Sequence, residues 1–194
     1  GDEGDELGVK LTLLGGERPH PFTISSSWTG DGRLQFIVKA LGDHTAVLAQ
    51  RLQVGDPVEV EGPYGRFDFE DEKSRQIWIG AGIGITPFIA RMKLLAAVPD
   101  GRIITLFHST RQVDEDALAQ LQADATAANV TLHVLVDARD GRLTAQRIMS
   151  AVPHWKAGGV WFCGPSTMGR ALRKDLTALG MADGAFHQEL FAMR

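Results

Sequence analysis

Three glycines stand two apart in "WIGAGIGITPF" (78–88), at Gly80, Gly82 and Gly84, between an apolar run and the pair Thr86–Pro87. Glycine reaches positive φ and lets a ligand come close to the backbone. Proline suits the first turn of a helix, where its missing N–H costs nothing. A helix opened by Gly82, Gly84, Ile85 and Thr86 offers unpaired N–H groups and the positive end of a dipole. The stretch therefore predicts a cradle for a pyrophosphate. Thr-Pro occupies the place of the third glycine in the usual G-x-G-x-x-G pattern.

Two further stretches bear on the same chemistry. "FCGPSTM" (162–168) holds Cys163, Gly164 and Pro165, a second sharp turn ahead of a helical pattern. With strand order 3-2-1-4-5 it would face the first turn across a crevice, where doubly wound sheets bind ligands. "FHSTRQVDEDAL" (107–118) follows the second strand of that region, the position that meets an adenosine ribose. It offers Ser109, Thr110 and Arg111 first, and acids only from Asp114. Arginine accommodates a 2′-phosphate and an acid binds a 2′-hydroxyl, so NADPH is expected ahead of NADH. Arg142 is a weaker second candidate for the phosphate.

A fourth stretch, "RPHPFTISSS" (18–27), has prolines on both sides of His20. Proline fixes φ and pushes the preceding residue towards extended conformations, so Arg18 to Phe22 should be stiff and extended. On a strand, His20 and Phe22 share a face.

The elements that must hold these residues fall into two textures. The first seventy-odd residues read as short strands: "VKLTLL" (9–14), "FTIS" (22–25), "RLQFIVKAL" (33–41) and "PVEVEG" (57–62). "TAVLAQRL" (45–52) is the one helical segment, with Thr45 as a possible N-cap. This predicts a small, partial antiparallel β-barrel. After the charged, linker-like "FEDEKSR", strands alternate with helical patterns. The strands are 76–81, 102–108, 130–136, 159–164 and 184–191; the helices are 86–98, 114–129, 144–152 and 167–180. That alternation predicts an α/β, doubly wound domain on a five-stranded parallel sheet. The division is 1–73 and 74–194.

Composition narrows the functional classes. Hydrophobic residues are 44% and charged residues 23%, ordinary for a folded chain with a substantial core. The net charge of −4 gives no basic field for nucleic acid. One Cys cannot form an intrachain disulfide or a Cys-only iron–sulfur or zinc site, so no metal site is expected. No apolar run approaches the ~20 residues of a membrane span.

Six motifs in one order, "RPHPFTISS", "VKALGDHT", "EGPYGRF", "GAGIGITPF", "FCGPSTM" and "FHQELF", resemble the ferredoxin–NADP reductase superfamily. The resemblance covers nearly the whole chain. With His-Pro-Phe-Thr where the superfamily's flavin motif usually begins with Arg, the chain is most similar to the cytosolic dehydrogenase module of membrane ferric reductases and NADPH oxidases.

The resemblance implies an FAD-binding barrel followed by an NADPH-binding domain. His20, in the His20–Pro21–Phe22–Thr23 strand, would lie by the FAD phosphates. Phe22 would lie against the isoalloxazine and Thr23 near its N5. Lys39 would bring positive charge to the pyrophosphate, and Gly42 and Thr45 would set a helix N-terminus against it. Gly62, Pro63, Tyr64 and Gly65 resemble the turn that closes the flavin pocket. Phe191 matches the aromatic that covers the flavin face. Glu189 and Cys163 would line the hydride-transfer site, so that Cys163, Glu189, Phe191 and Thr23 form the reacting set.

Hydride would pass from NADPH to FAD, and single electrons onward to a haem, ferric iron or oxygen. The family implies a haem-bearing transmembrane partner and a place on the cytosolic face of a membrane. Only nineteen residues precede His20, so the barrel is expected to be N-terminally short. A soluble reductase for a ferredoxin or oxygenase, and a nucleotide-binding but inactive regulatory module, are the alternatives.

Overall fold

The computed structural model describes residues 8–13, 20–26, 30–38, 47–48, 50–64 and 67–190. Two sheets organise them. The first is antiparallel, with strands β1 (Gly8–Leu13), β2 (His20–Thr23) and β3 (Val58–Tyr64) in the order β2-β1-β3. Its small core is Val9, Leu11, Leu13 and Leu48, with Phe22, Ile24, Phe36 and Leu52 packed against it. Leu48 comes from the helical segment expected over 45–52, of which residues 47, 48, 50 and 51 are described as helical.

The expected strand over 33–41 departs from the forecast. Among its described residues only Phe36 pairs, in an isolated antiparallel bridge to Ile24. The Ser25 N–H donates to the Gln35 carbonyl at 2.8 Å, but the Gln35 N–H goes to Ser26 Oγ at 3.1 Å. A side chain takes the place of a ladder carbonyl, a competition that hydroxyl residues commonly win near turns. Gly62, Pro63 and Tyr64, expected in a turn, instead end β3.

The second sheet holds β4 (Arg75–Ala81), β5 (Ile103–Thr110), β6 (Val130–Val136), β7 (Gly159–Gly164) and β8 (Phe186–Leu190). Its order is β6-β5-β4-β7-β8 with every neighbouring pair parallel. Counted within this region that is 3-2-1-4-5, the order on which the crevice argument rests. Strands covered on both faces read as continuous apolar runs, which is why "IWIGA" and "VWFCG" carry no alternation.

The longer helices around this sheet are α1 (Thr86–Ala97), α2 (Glu115–Ala127), α3 (Ala145–Ala151) and α4 (Ser166–Ala178), and a four-residue helical turn, Asp137–Asp140, follows β6. Asp114 caps α2 by accepting the Ala117 N–H at 3.0 Å, and Thr144 caps α3 by accepting the Arg147 N–H at 3.3 Å. Each cap satisfies one of the four N–H groups a helix start leaves unpaired.

One face of this sheet buries Ile77, Ile79, Phe107, Ile148, Phe162 and Leu172. The other buries Trp78, Phe88, Leu106 and Trp161, and here the supposed linker enters the core. Phe67 and Phe69 are 3% and 0% exposed and pack edge-on or tilted against Trp78, Phe88 and Trp161 at centroid distances of 5.0–5.7 Å. Phe69 has φ of +59°, a left-handed conformation uncommon for a bulky residue. Its carbonyl accepts from Gln76 Nε2 at 2.9 Å and from an Arg102 guanidinium nitrogen at 3.2 Å, which holds the unusual backbone in place.

Asp71 then gathers β4 and β7. Its carboxylate accepts Gln76 Nε2 at 3.0 Å and Trp161 Nε1 at 3.1 Å, and Trp78 Nε1 donates to Gln76 Oε1 at 2.9 Å. A Cβ on Gly159 would stand 2.0 Å from an Asp71 oxygen, so only glycine leaves room for this carboxylate.

Candidate nucleotide and flavin site

The carboxyl ends of β4, β5, β7 and β8 meet at one edge. Gly80 is paired with His108 on one side and Cys163 on the other, Ala81 with Ser109, and Cys163 with Glu189. β4 runs directly into one 3-10 turn, Gly82–Ile85, and then into α1.

The glycines have separate tasks. Gly82 has φ of +57°, and a Cβ built on it would meet nothing within 4 Å. The turn therefore needs a left-handed residue and opens onto space at that point. A Cβ on Gly84 would lie 2.2 Å from the Cys163 carbonyl oxygen and 3.0 Å from the Gly164 nitrogen. Gly84 thus lets the turn pack directly on the end of β7. A Cβ on Gly80 would meet Ile85 Cα at 2.9 Å, which makes it a packing glycine too.

Ile85 and Thr86 turn inward, both buried, and Thr86 Oγ1 donates to the Ile83 carbonyl at 2.7 Å. Whatever they give a ligand is given through the backbone. Pro165 precedes α4 in an extended conformation, and no side chain caps that helix start. Two helix starts, α1 and α4, therefore flank one edge, as a pyrophosphate site needs.

Cys163 is fully buried beside Trp161 and Ile85. Glu189 is placed next to it by strand register. His187, one pleat earlier on β8, stacks on Trp161 with ring centroids 4.0 Å apart and lies 3.9 Å from Asp71. Burial pushes the His187 pKa below its usual value, while Asp71 and then Asp68 pull it upward. His187 is not among the site residues expected from the sequence. Two residues apart on β8, His187 and Glu189 share a face.

At the far side of the edge, Ser109 is buried and donates to Asp137 Oδ1 at 3.4 Å. Arg111 is exposed, within a bend across which Thr110 Oγ1 donates to the Gln112 carbonyl at 2.8 Å. Arg142 is exposed as well.

In the first sheet, His20 pairs with Leu11, Pro21 with Lys10, Phe22 with Val9 and Thr23 with Gly8. His20 and Phe22 share a face, as expected from the period of two, with Thr23 on the other. Phe22 meets Phe36 edge-on at 6.3 Å and supports the small core. Lys39, Gly42, Thr45, Gly65 and Phe191 lie outside the described residues. Among the described residues no cluster of His, Cys, Asp or Glu is arranged to hold a metal ion. No helix among them is long and apolar enough to cross a membrane.

Comparison with known proteins bears on the first sheet most directly. Residues 3–69 match the oxidoreductase FAD-binding domain family. A flavohemoprotein of Bordetella pertussis is 28% identical over 203 residues, covering 94% of this chain and 50% of that protein. The electron transfer component of toluate 1,2-dioxygenase from Pseudomonas putida is 25% identical, covering 95% of this chain and 57% of that protein. The chain therefore spans about half the length of the curated relatives it matches. Among solved structures, the FAD/NAD-binding domain of a nitric oxide dioxygenase from Vibrio cholerae superposes with a TM-score of 0.78 at 24% identity. That match covers 98% of this chain and 86% of the other.

The match over residues 3–69 supports FAD as a cofactor, and over nearly the whole chain the similarity is to a flavohemoprotein and a dioxygenase electron transfer component. The ferric reductase and NADPH oxidase branch is a finer reading than these similarities carry.

Proposed function

We propose that the chain is the reductase part of a flavoenzyme, taking electrons from NAD(P)H through FAD to a haem-type acceptor. The observation that carries this is the contact between the Gly82–Ile85 turn and the Cys163–Gly164 peptide, with open space above Gly82. It brings two helix starts and the residue row Cys163–Glu189 to one edge, beside a domain that matches an FAD-binding family.

FAD, when bound, supplies the chemistry of accepting a hydride equivalent and releasing electrons singly. The chain's own residues position and enclose. Gly82 and the backbone of Gly84 to Thr86 would receive the nucleotide pyrophosphate, with Gly164 and Pro165 opposite. Cys163 and Glu189 would orient the nicotinamide, with Phe191 covering the flavin face. His20, Pro21, Phe22 and Thr23 would hold FAD, with Lys39, Gly42 and Thr45 completing its phosphate side. Ser109 and Arg111 support NADPH as donor.

The His-Pro-Phe-Thr strand supports the ferric reductase and NADPH oxidase branch, with a membrane haem as acceptor and the cytosolic face as its place. The similarity to a dioxygenase electron transfer component supports a second reading, a soluble reductase that serves an oxygenase.

Gly82→Val tests the carrying observation. It forces a β-branched residue into φ of +57° and fills the open space. Dye reduction by NAD(P)H with added FAD should fall at least ~100-fold, with 5′-AMP binding lost in calorimetry, for a cradle of this kind. Absence of any pyridine nucleotide binding by the intact protein would overturn the proposal.

A further inference from the structure

β8 carries one ring that the proposed nicotinamide site does not use. His187 pairs with Trp161 across the β7–β8 ladder, and two residues further on Glu189 pairs with Cys163. The His187 ring therefore lies one pleat from the row that would orient the nicotinamide, on the same face of the sheet. Its side chain is 30% exposed, whereas that of Asp71 is 9% exposed. Protons reach the imidazole while the facing carboxylate stays largely dry.

The geometry around the ring has two settings. Asp71 Oδ2 accepts the Trp161 indole N–H at 3.1 Å, and His187 Nε2 stands 3.9 Å from that same oxygen. At that distance there is no hydrogen bond, and the ring is placed by its stack on Trp161, with centroids 4.0 Å apart and planes 15° from parallel. A carboxylate oxygen has lone pairs for two donors. A protonated ring would close on Oδ2 to about 2.8 Å, a movement of about 1 Å. Two acids act on the ring, Asp71 and then Asp68, both from the segment between Phe67 and Ser74. Arg102 reaches that segment too, but it is held on the backbone side by the Phe69 and Asp71 carbonyls. From β7 the facing side chain is the uncharged Trp161. Burial disfavours the imidazolium more than the two acids favour it, so the ring is neutral at neutral pH and titrates in acid.

We infer that His187 is a positioning residue: neutral and stacked on Trp161, it sets β8 so that Glu189 stands beside Cys163, and as a cation it is drawn onto Asp71 and displaces that row. Resting on the flavin and nucleotide reading proposed above, this adds an acid-sensitive contact. It joins the strap that follows the FAD-binding match to the strand that would meet the nicotinamide.

The experiment compares the full chain with His187→Phe, which keeps a ring on Trp161 and takes no proton, at temperatures well below either melting point. With FAD added, single-turnover flavin reduction by NAD(P)H should slow about tenfold in the wild type from roughly pH 7.5 to 5, since a displacement of about 1 Å costs up to about 100-fold. In His187→Phe it should vary less than about twofold, and His187→Gln, which also takes no proton, should behave alike. Binding of 5′-AMP, which would meet the Gly82 turn rather than β8, should change less than about twofold in every protein. In the cofactor-free chain the Trp161 indole N–H resonance should move with a midpoint below 6.5 in the wild type and stay fixed in the variants. Equal rate profiles in wild type and variants, or an indole signal in the wild type that ignores pH, would overturn this inference and leave the proposed function standing. Absence of pyridine nucleotide binding at every pH would overturn both.

Discussion

The two sheets of this protein are built from similar residue types and stabilised very differently. In the five-stranded sheet, Trp78, Phe162, Ile77 and Ile79 are fully buried, and a polar hub at Asp71 ties the strands together beneath the rings. In the three-stranded sheet, Val58 and Val60 are 43% and 53% exposed, and the core is a handful of aliphatic side chains around Leu11. A sheet covered on both faces gains stability from every strand residue, whereas one covered on a single side gains from alternate residues only. The contrast locates the rigidity of the molecule. The nucleotide edge is set by a dense scaffold, while the matched FAD-binding portion presents apolar surface on β3.

The sharpest way to break that contrast is Phe69→Ala. Phe69 is fully buried under Trp78, Phe88 and Trp161, and removing a buried aromatic ring costs about 3–5 kcal/mol. Urea denaturation should show that loss in the main transition, although residue 69 lies in the segment that sequence alone reads as a linker. A loss below about 1 kcal/mol would mean that the segment is not part of the scaffold.

A pH titration gives an intermediate effect. His187 binds a proton less readily when folded than its usual value of 6.5, because burial disfavours the charged ring. The unfolded chain then holds more protons just below that value, so stability should fall as pH drops below about 6.5 and level off beneath the folded pKa. His187→Phe, which keeps the stack on Trp161, should flatten this part of the profile in melts from pH 7.5 to about 5. An identical slope in both proteins would remove His187 as the source.

The smallest effect is expected on the other sheet. Val60→Thr should change stability by about 0.5 kcal/mol or less, because half of that side chain already meets solvent. A larger loss, read by the same urea series, would show that β3 is covered in solution.

What the sequence made legible follows from range. The parallel strands were readable because each is a short apolar run between turn signals; 130–136 and 159–164 match β6 and β7 residue for residue. The helix starts at Asp114 and Thr144 were readable because caps act over three residues. The crevice between Gly82 and Cys163 followed from strand order.

Asp71 was not readable, since its bond to Trp161 spans ninety residues and nothing local marks it. Asp137 is illegible for a related reason, because it meets Ser109 from another strand. The 33–41 segment misled because its β-branched residues suit a strand, yet Ser26 competes for its backbone. Of the flavin-side residues, His20 and Phe22 were correctly placed on one face by the period of two.

The left-handed Phe69, with its carbonyl held by Gln76 and Arg102, has a practical meaning for anyone recombining these parts. A cassette cut at Ser74 would leave Trp78, Phe88 and Trp161 facing an empty groove and Arg102 without the Phe69 and Asp71 carbonyls, with Asp100 as its remaining acceptor. A transplantable nucleotide unit should begin no later than Phe67 and carry the "FDFEDEKS" strap with it. The charged stretch that looks like a seam is better treated as the first component of the unit that follows it.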